Sequence, residues 1–241
     1  MTICALCASR PAVDREHIPA QTLFPKPRPH NMITVPACAE CNGGTSLDDE
    51  YLRTYFALRV EERPTPSLAR IREVASRGLT RPQHRGLQET FARSMSMGWV
   101  PAPGGTLLTL QMRMTPDLRR VLRVIRKHAR GLFYHITERV LPADTKLIVL
   151  PDHRVARMPP QKQHAVDTWS KQSLAGVRGN VGEVFGYALN VTIDNPNAFF
   201  MSLLFYKTFY YLVATRPRFF TPGALPSGND HAINRLPIAS K

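Results

Sequence analysis

Acidic side chains are scarce in this chain. Its 241 residues carry 18 Asp and Glu against 32 Lys and Arg, a formal net charge of +14. A field of that sign draws in polyanions, either nucleic acid or an acidic membrane surface. The alternative, a basic surface of arginine-rich composition that binds nothing, stays open at this level. Long apolar runs are missing as well. The most apolar stretch, 198–215, is broken by Lys207, so no membrane span is expected. The opening MTICALCASR has polar residues and cysteine where a secretory leader would need an apolar segment. A cytoplasmic, reducing location is the expectation, and no internal repeat stands out.

Cysteine is absent after position 41. All 4 cysteines lie near the start, as Cys4-x-x-Cys7 and Cys38-x-x-Cys41. In a reducing compartment this usage points to metal rather than disulfides. A two-residue gap lets both thiolates of a pair turn toward one ion, and two such knuckles complete a closed tetrahedral zinc site. With no open position, that zinc is structural. The stretch between the knuckles can hold a hairpin, and within it stand Arg15-Glu16-His17-Ile18-Pro19 and Asn31, with Asn42 directly after Cys41.

These features together resemble the HNH endonuclease family in its zinc-knuckle-framed, ββα-metal form, over about residues 1–50. In that family a carboxylate–His–Ile–x–Pro run and an asparagine lie between two CxxC pairs, and His or Asn follows the second pair. This chain has Glu16 where the family usually has aspartate. The resemblance implies phosphodiester hydrolysis, with DNA as substrate and RNA as the alternative. His17 would be the general base, its ordinary pKa near neutrality suiting that task. Asn31 would orient its ring. Glu16 and Asn42 would offer oxygen ligands to a catalytic Mg²⁺ or Mn²⁺, joined by Asp48 or Asp49. A plainer reading of the two aspartates is as first-turn residues favoured by a helix dipole. The rival to the enzyme is a non-catalytic zinc-ribbon nucleic-acid binder with a degenerate site.

Further along, Ser46 and Asp49 suggest a capping box opening a helix through Leu52, Tyr55 and Phe56, stopped by Pro64 and Pro66. Residues 67–98 read as helical, APGGT at 102–106 as a turn and 107–114 as a strand. Thr115 and Pro116 then open an amphipathic helix that Gly131 would end. Its polar face holds Arg119, Arg120, Arg123, Arg126, Lys127 and Arg130, a candidate track for a phosphate backbone or an ordinary solvated face. Strands are expected at 145–152 and 184–194, and a loop then a helix at 159–172. The run 198–215 is one buried element or two strands, and an irregular tail follows from Arg216. The expected class is α+β: a small zinc-stabilised module over 1–62, then a larger α+β region over 63–241 with basic helices and a C-terminal antiparallel strand pair.

Overall fold

The computed structural model describes residues 2–59, 64–101, 108–155, 157–174, 176–193 and 195–215. The turn expected at 102–106 and the tail from Arg216, with His231, lie outside these. The elements run β1 (Asp14–Ile18), β2 (Ile33–Ala37), α1 (Ala39–Gly43), α2 (Ser46–Leu58), α3 (Pro66–Leu79), α4 (Arg85–Ser94), β3 (Met95–Pro101), β4 (Leu108–Met114) and α5 (Leu118–Thr137). They continue with β5 (Ile148–Pro151), α6 (Asp152–Val155), α7 (Pro160–Ser173), β6 (Val177–Val181), β7 (Phe185–Val191), β8 (Phe199–Phe205) and β9 (Phe209–Ala214). The class is α+β with antiparallel sheets. Two are two-stranded ribbons, β1–β2 and β3–β4, and the third is five-stranded in the order β5-β9-β8-β7-β6. No helix among the described residues is long and apolar enough to cross a membrane.

The expected strand pair is β8–β9, at the centre of the large sheet. Both strands are largely apolar because helices cover both faces, the exception being buried Ser202, which bonds Ser173 and Tyr210. Leu150, Phe200, Leu212 and Ala214 face Val166 of α7. Met201, Leu203, Phe205, Phe209, Tyr211 and Val213 join the main core with α2 and α5. Phe56 of α2 stacks on Phe209 at 4.6 Å and meets Phe205 at 5.2 Å. Such a buried side chain contributes about 1.5–3 kcal/mol. The turn between the strands places Tyr206 at φ +52, a strained position for a bulky residue. Its side chain is fully buried, and its hydroxyl donates to the Leu23 carbonyl at 2.5 Å, which holds the turn against the N-terminal part of the chain.

Local signals are shifted in several places. Thr45, not Ser46, is the N-cap of α2, and its hydroxyl donates to Asp49 at 3.2 Å instead of capping an amide. Helix α2 ends at Leu58, and Pro66 opens α3 at its first turn under a Thr65 cap. The residues 95–98 belong to β3, not to a helix. Asp117, not Thr115, caps α5, accepting from the amides of Arg119 and Arg120 at 3.0 and 3.4 Å. Helix α5 runs through Gly131 to Thr137.

Gly131 is there for packing. A Cβ at that position would lie 2.5 Å from Ile18 Cγ1 and 2.6 Å from its Cδ1, and Ile18 is fully buried in β1. The missing side chain lets the β1–β2 ribbon lie directly on α5. Gly131→Val is expected to cost about 1–3 kcal/mol through overpacking. A thermal unfolding midpoint equal to or above that of the wild type would refute this contact.

Candidate metal centre and hairpin site

The two knuckles come together at the base of the β1–β2 ribbon. The first is a turn, closed by Ala8 N–H to the Cys4 carbonyl at 3.0 Å and tied to β2 by Ala5 N–H to the Pro36 carbonyl at 2.9 Å. The second begins at Cys38, the N-cap of α1. All four cysteines are free, and their Sγ atoms lie within 4.8 Å of one another. Cys7 and Cys38 are 3.9 Å apart, while a tetrahedral zinc with bonds of about 2.3 Å spaces its sulfurs by roughly 3.8 Å. Four converging sulfurs, two of them buried, fit a closed structural zinc site. Among the described residues no second group of three or more His, Cys, Asp or Glu closes on a point in this way.

Alternation along β1 divides the candidate residues between two faces. Asp14, Glu16 and Ile18 point toward the helices, while Arg15 and His17 point outward, His17 opposite Thr34. The half-buried His17 ring lies against the side-chain amide of Gln21, whose Nε2 is 2.8 Å from the imidazole Nε2. Burial, and then the nearby Arg28 guanidinium, hold His17 below its ordinary pKa, with Asp14 pulling the other way. These effects favour the neutral imidazole, the form that can accept a proton. Gln21 and Arg28 carried no signal in the sequence, because neither belongs to a spaced motif.

The inner face has a different character. Glu16 is 6% exposed and lies 3.6 Å from the Lys127 ammonium. Lys127, itself buried, donates to Asp49 Oδ2 and to Thr45 Oγ1, both at 2.7 Å. Burial raises the pKa of both carboxyls, and Lys127 pulls each back part of the way. Asp48 is held by Arg120 at 2.6 Å and Arg123 at 2.8 Å. Asn42 donates its amide to Asp14 at 2.5 Å. The expected divalent-ion ligands are thus engaged in three separate groupings. Glu16 and Asp49 enclose an ammonium, Asp48 a pair of guanidiniums, and Asn42 binds an aspartate that the motif did not include. Asp48 and Asp49 do occupy the first turn of α2, but as buried ion-pair partners. The Asn31 amide donates to the Asn180 carbonyl at 3.1 Å.

The basic face of α5 is largely used within the fold. Besides Arg120, Arg123 and Lys127, Arg126 donates to the Leu147 carbonyl, and Arg130 donates to the carbonyls of Leu141, Pro142, Ala143 and Thr145. Arg119 alone of the six stays exposed with no such tie among the described residues. Arg119, Arg123 and Arg126 remain exposed on this face, while the ties to acids and carbonyls are ones that the helix's own sequence does not reveal.

The outer face of the hairpin opens instead onto a cleft of about 480 Å³, lined by Arg15, Asn31, Thr34, His135, Asn180 and Tyr187 among others. It lies between the ribbon, the end of α5 and the β6–β7 edge. Arg15 is fixed over it by bonds to the Thr34 hydroxyl at 2.8 Å and carbonyl at 2.9 Å. Comparison of the chain with protein-family models, curated proteins and solved structures finds no match.

Proposed function

We propose that the protein is a nuclease of the HNH type, hydrolysing phosphodiester bonds in DNA with His17 as the general base. The observation that carries this reading is the His17 imidazole on the open face of the hairpin above the four-cysteine cluster, beside the exposed Arg15 and Arg28. A phosphate drawn to these cations would lie on the same face as the ring. His17 would take a proton from the attacking water, the new P–O bond would form as the bond to the leaving oxygen breaks, and that oxygen would gain a proton from solvent. Arg15 and Arg28 would offset the charge that builds on the phosphoryl oxygens. The oxygen donors do not form a cage for a divalent ion, so no step is assigned to one. The cleft along Arg15 and Thr34 would take the neighbouring nucleotide.

A second reading rests on the Glu16–Lys127–Asp49 cluster. With the acids closed on an internal ammonium, the hairpin would serve as a zinc-framed nucleic-acid-binding scaffold without turnover. Plasmid nicking in Mg²⁺ or Mn²⁺ decides between them. The nuclease reading expects His17→Ala to lose at least about 100-fold in cleavage rate while affinity is kept. The acid limb of its pH profile should lie below that of an ordinary imidazole, because burial and Arg28 lower the pKa of the ring. Binding without cleavage by the wild-type protein would select the scaffold. Intact plasmid with degraded transcript would select RNA as the substrate.

A further inference from the structure

The β3–β4 ribbon has one apolar face that nothing covers among the described residues. Directly opposed residues of an antiparallel pair share a face, and the register pairs Met97 with Met112 and Trp99 with Leu110. Leu108 follows two positions before Leu110 on the same side. These five side chains are 60%, 65%, 63%, 47% and 63% exposed, in the order Met97, Met112, Trp99, Leu110 and Leu108. At the base of the ribbon the pair Met95 and Met114 continues the same face into the main core. The opposite face carries Ser96, Gly98, Thr109 and Arg113.

A two-stranded sheet with a bare apolar face is not a stable object in water, since independent stability needs a third strand or a packed partner. The five side chains present on the order of 500 Å² of apolar surface, taking about 150–250 Å² for a fully exposed large side chain. A monomer rarely leaves a patch of that size without a use for it.

We propose that this face is a homodimer interface, in which the ribbons of two copies pack apolar face to apolar face. Two such patches bury on the order of 1,000 Å² in total, the lower bound for a specific interface. The contact is isologous: a two-fold axis through it would set the Trp99–Leu110 row of one copy against that of the other. A lipid bilayer suits the ribbon less well. Both of its strands are edges, and unpaired backbone groups are not tolerated in hydrocarbon, whereas a second copy leaves those edges in water.

Sedimentation of the full chain across a range of concentrations tests the proposal. The expected result is a monomer–dimer equilibrium that tightens with added salt, because the association is apolar and each copy carries +14. Trp99→Lys should raise the dissociation constant at least about 30-fold, the loss typical of a central aromatic anchor, with an unchanged far-ultraviolet circular dichroism spectrum. Met97→Lys provides the same reading should the first variant fail to fold. A wild-type protein that stays monomeric, or a dimer indifferent to both substitutions, would overturn the proposal. So would a monomer that sediments with anionic phosphatidylserine vesicles in a Trp99-dependent way.

Discussion

Replacing Cys38 with serine is expected to abolish stoichiometric zinc and to lower the unfolding midpoint by more than about 10 °C. The residues before β1 have almost no regular structure, only an isolated bridge between Ile3 and Pro11. Their fastening to the hairpin base would therefore fall to a metal held by the four cysteines and to a few backbone bonds. Structural zinc binding in small peptides is worth about 10–16 kcal/mol, all of it coupled to folding. Here the five-stranded sheet folds without touching the ion, so only part of that energy is at stake. A loss of about 5 kcal/mol, at roughly 2–4 °C per kcal/mol for a chain of this size, gives the stated drop. Cys38 stands at the N-cap position of α1 without a side-chain cap bond, so losing a bound metal, not a cap, would loosen the helix carrying Asn42. Metal analysis and calorimetry, with dialysis against a chelator as the parallel treatment, check the expectation. Full zinc content in the variant would remove the tetrathiolate site.

Lys127→Met is the second large effect, and its size depends on pH. At pH 7 the substitution leaves Glu16 and Asp49 buried with no opposite charge, and breaking a buried pair from one side costs about 3–5 kcal/mol. Asp49 has little reserve, because its Oδ1 already lacks a partner among the described residues. In the folded protein burial places both carboxyls above their ordinary values of 4.5 and 3.8, and Lys127 opposes that rise. Removing the ammonium raises the folded pKa values further. The added instability is therefore complete above those raised values, shrinks as pH falls, and vanishes once the carboxyls are protonated in both folded and unfolded chains. Adding Glu16→Gln and Asp49→Asn should recover much of the loss at pH 7. An equal penalty at pH 3 and pH 7, measured by chemical denaturation, would show that the lysine acts by packing alone.

Much of the architecture was legible where a residue's neighbours in sequence are also its neighbours in space. The alternation of Phe185, Tyr187, Leu189 and Val191 marked β7, and the paired CxxC spacing marked the sulfur cluster. Strands β8 and β9 were harder, since burial on both faces erases alternation. Strand β6, VRGNV, was not anticipated, being a largely exposed edge whose only full commitment to the core is Val181. The candidate site was legible in its residue types and not in its pairings. Arg120 and Arg123 looked like a solvated stripe, because Asp48 lies far away in sequence. Glu16 looked like a metal ligand, because nothing near it announced Lys127. Asn31 looked like a companion of His17, while its partner is a backbone carbonyl in β6.

The packing of β1 on α5 has a bearing on biosynthesis. The knuckles leave the ribosome before α5, and a metal could close them as soon as residue 41 is out. Gly131, Lys127 and His128, whose ring accepts the Ala20 amide at 3.3 Å, are translated roughly 5–20 s later at ordinary elongation rates. For that interval the nascent hairpin is clamped at its base but bare beneath, with Glu16 and Ile18 facing water. An ion bound there would act as a timer's catch, keeping two early segments in register until a late helix arrives to roof them.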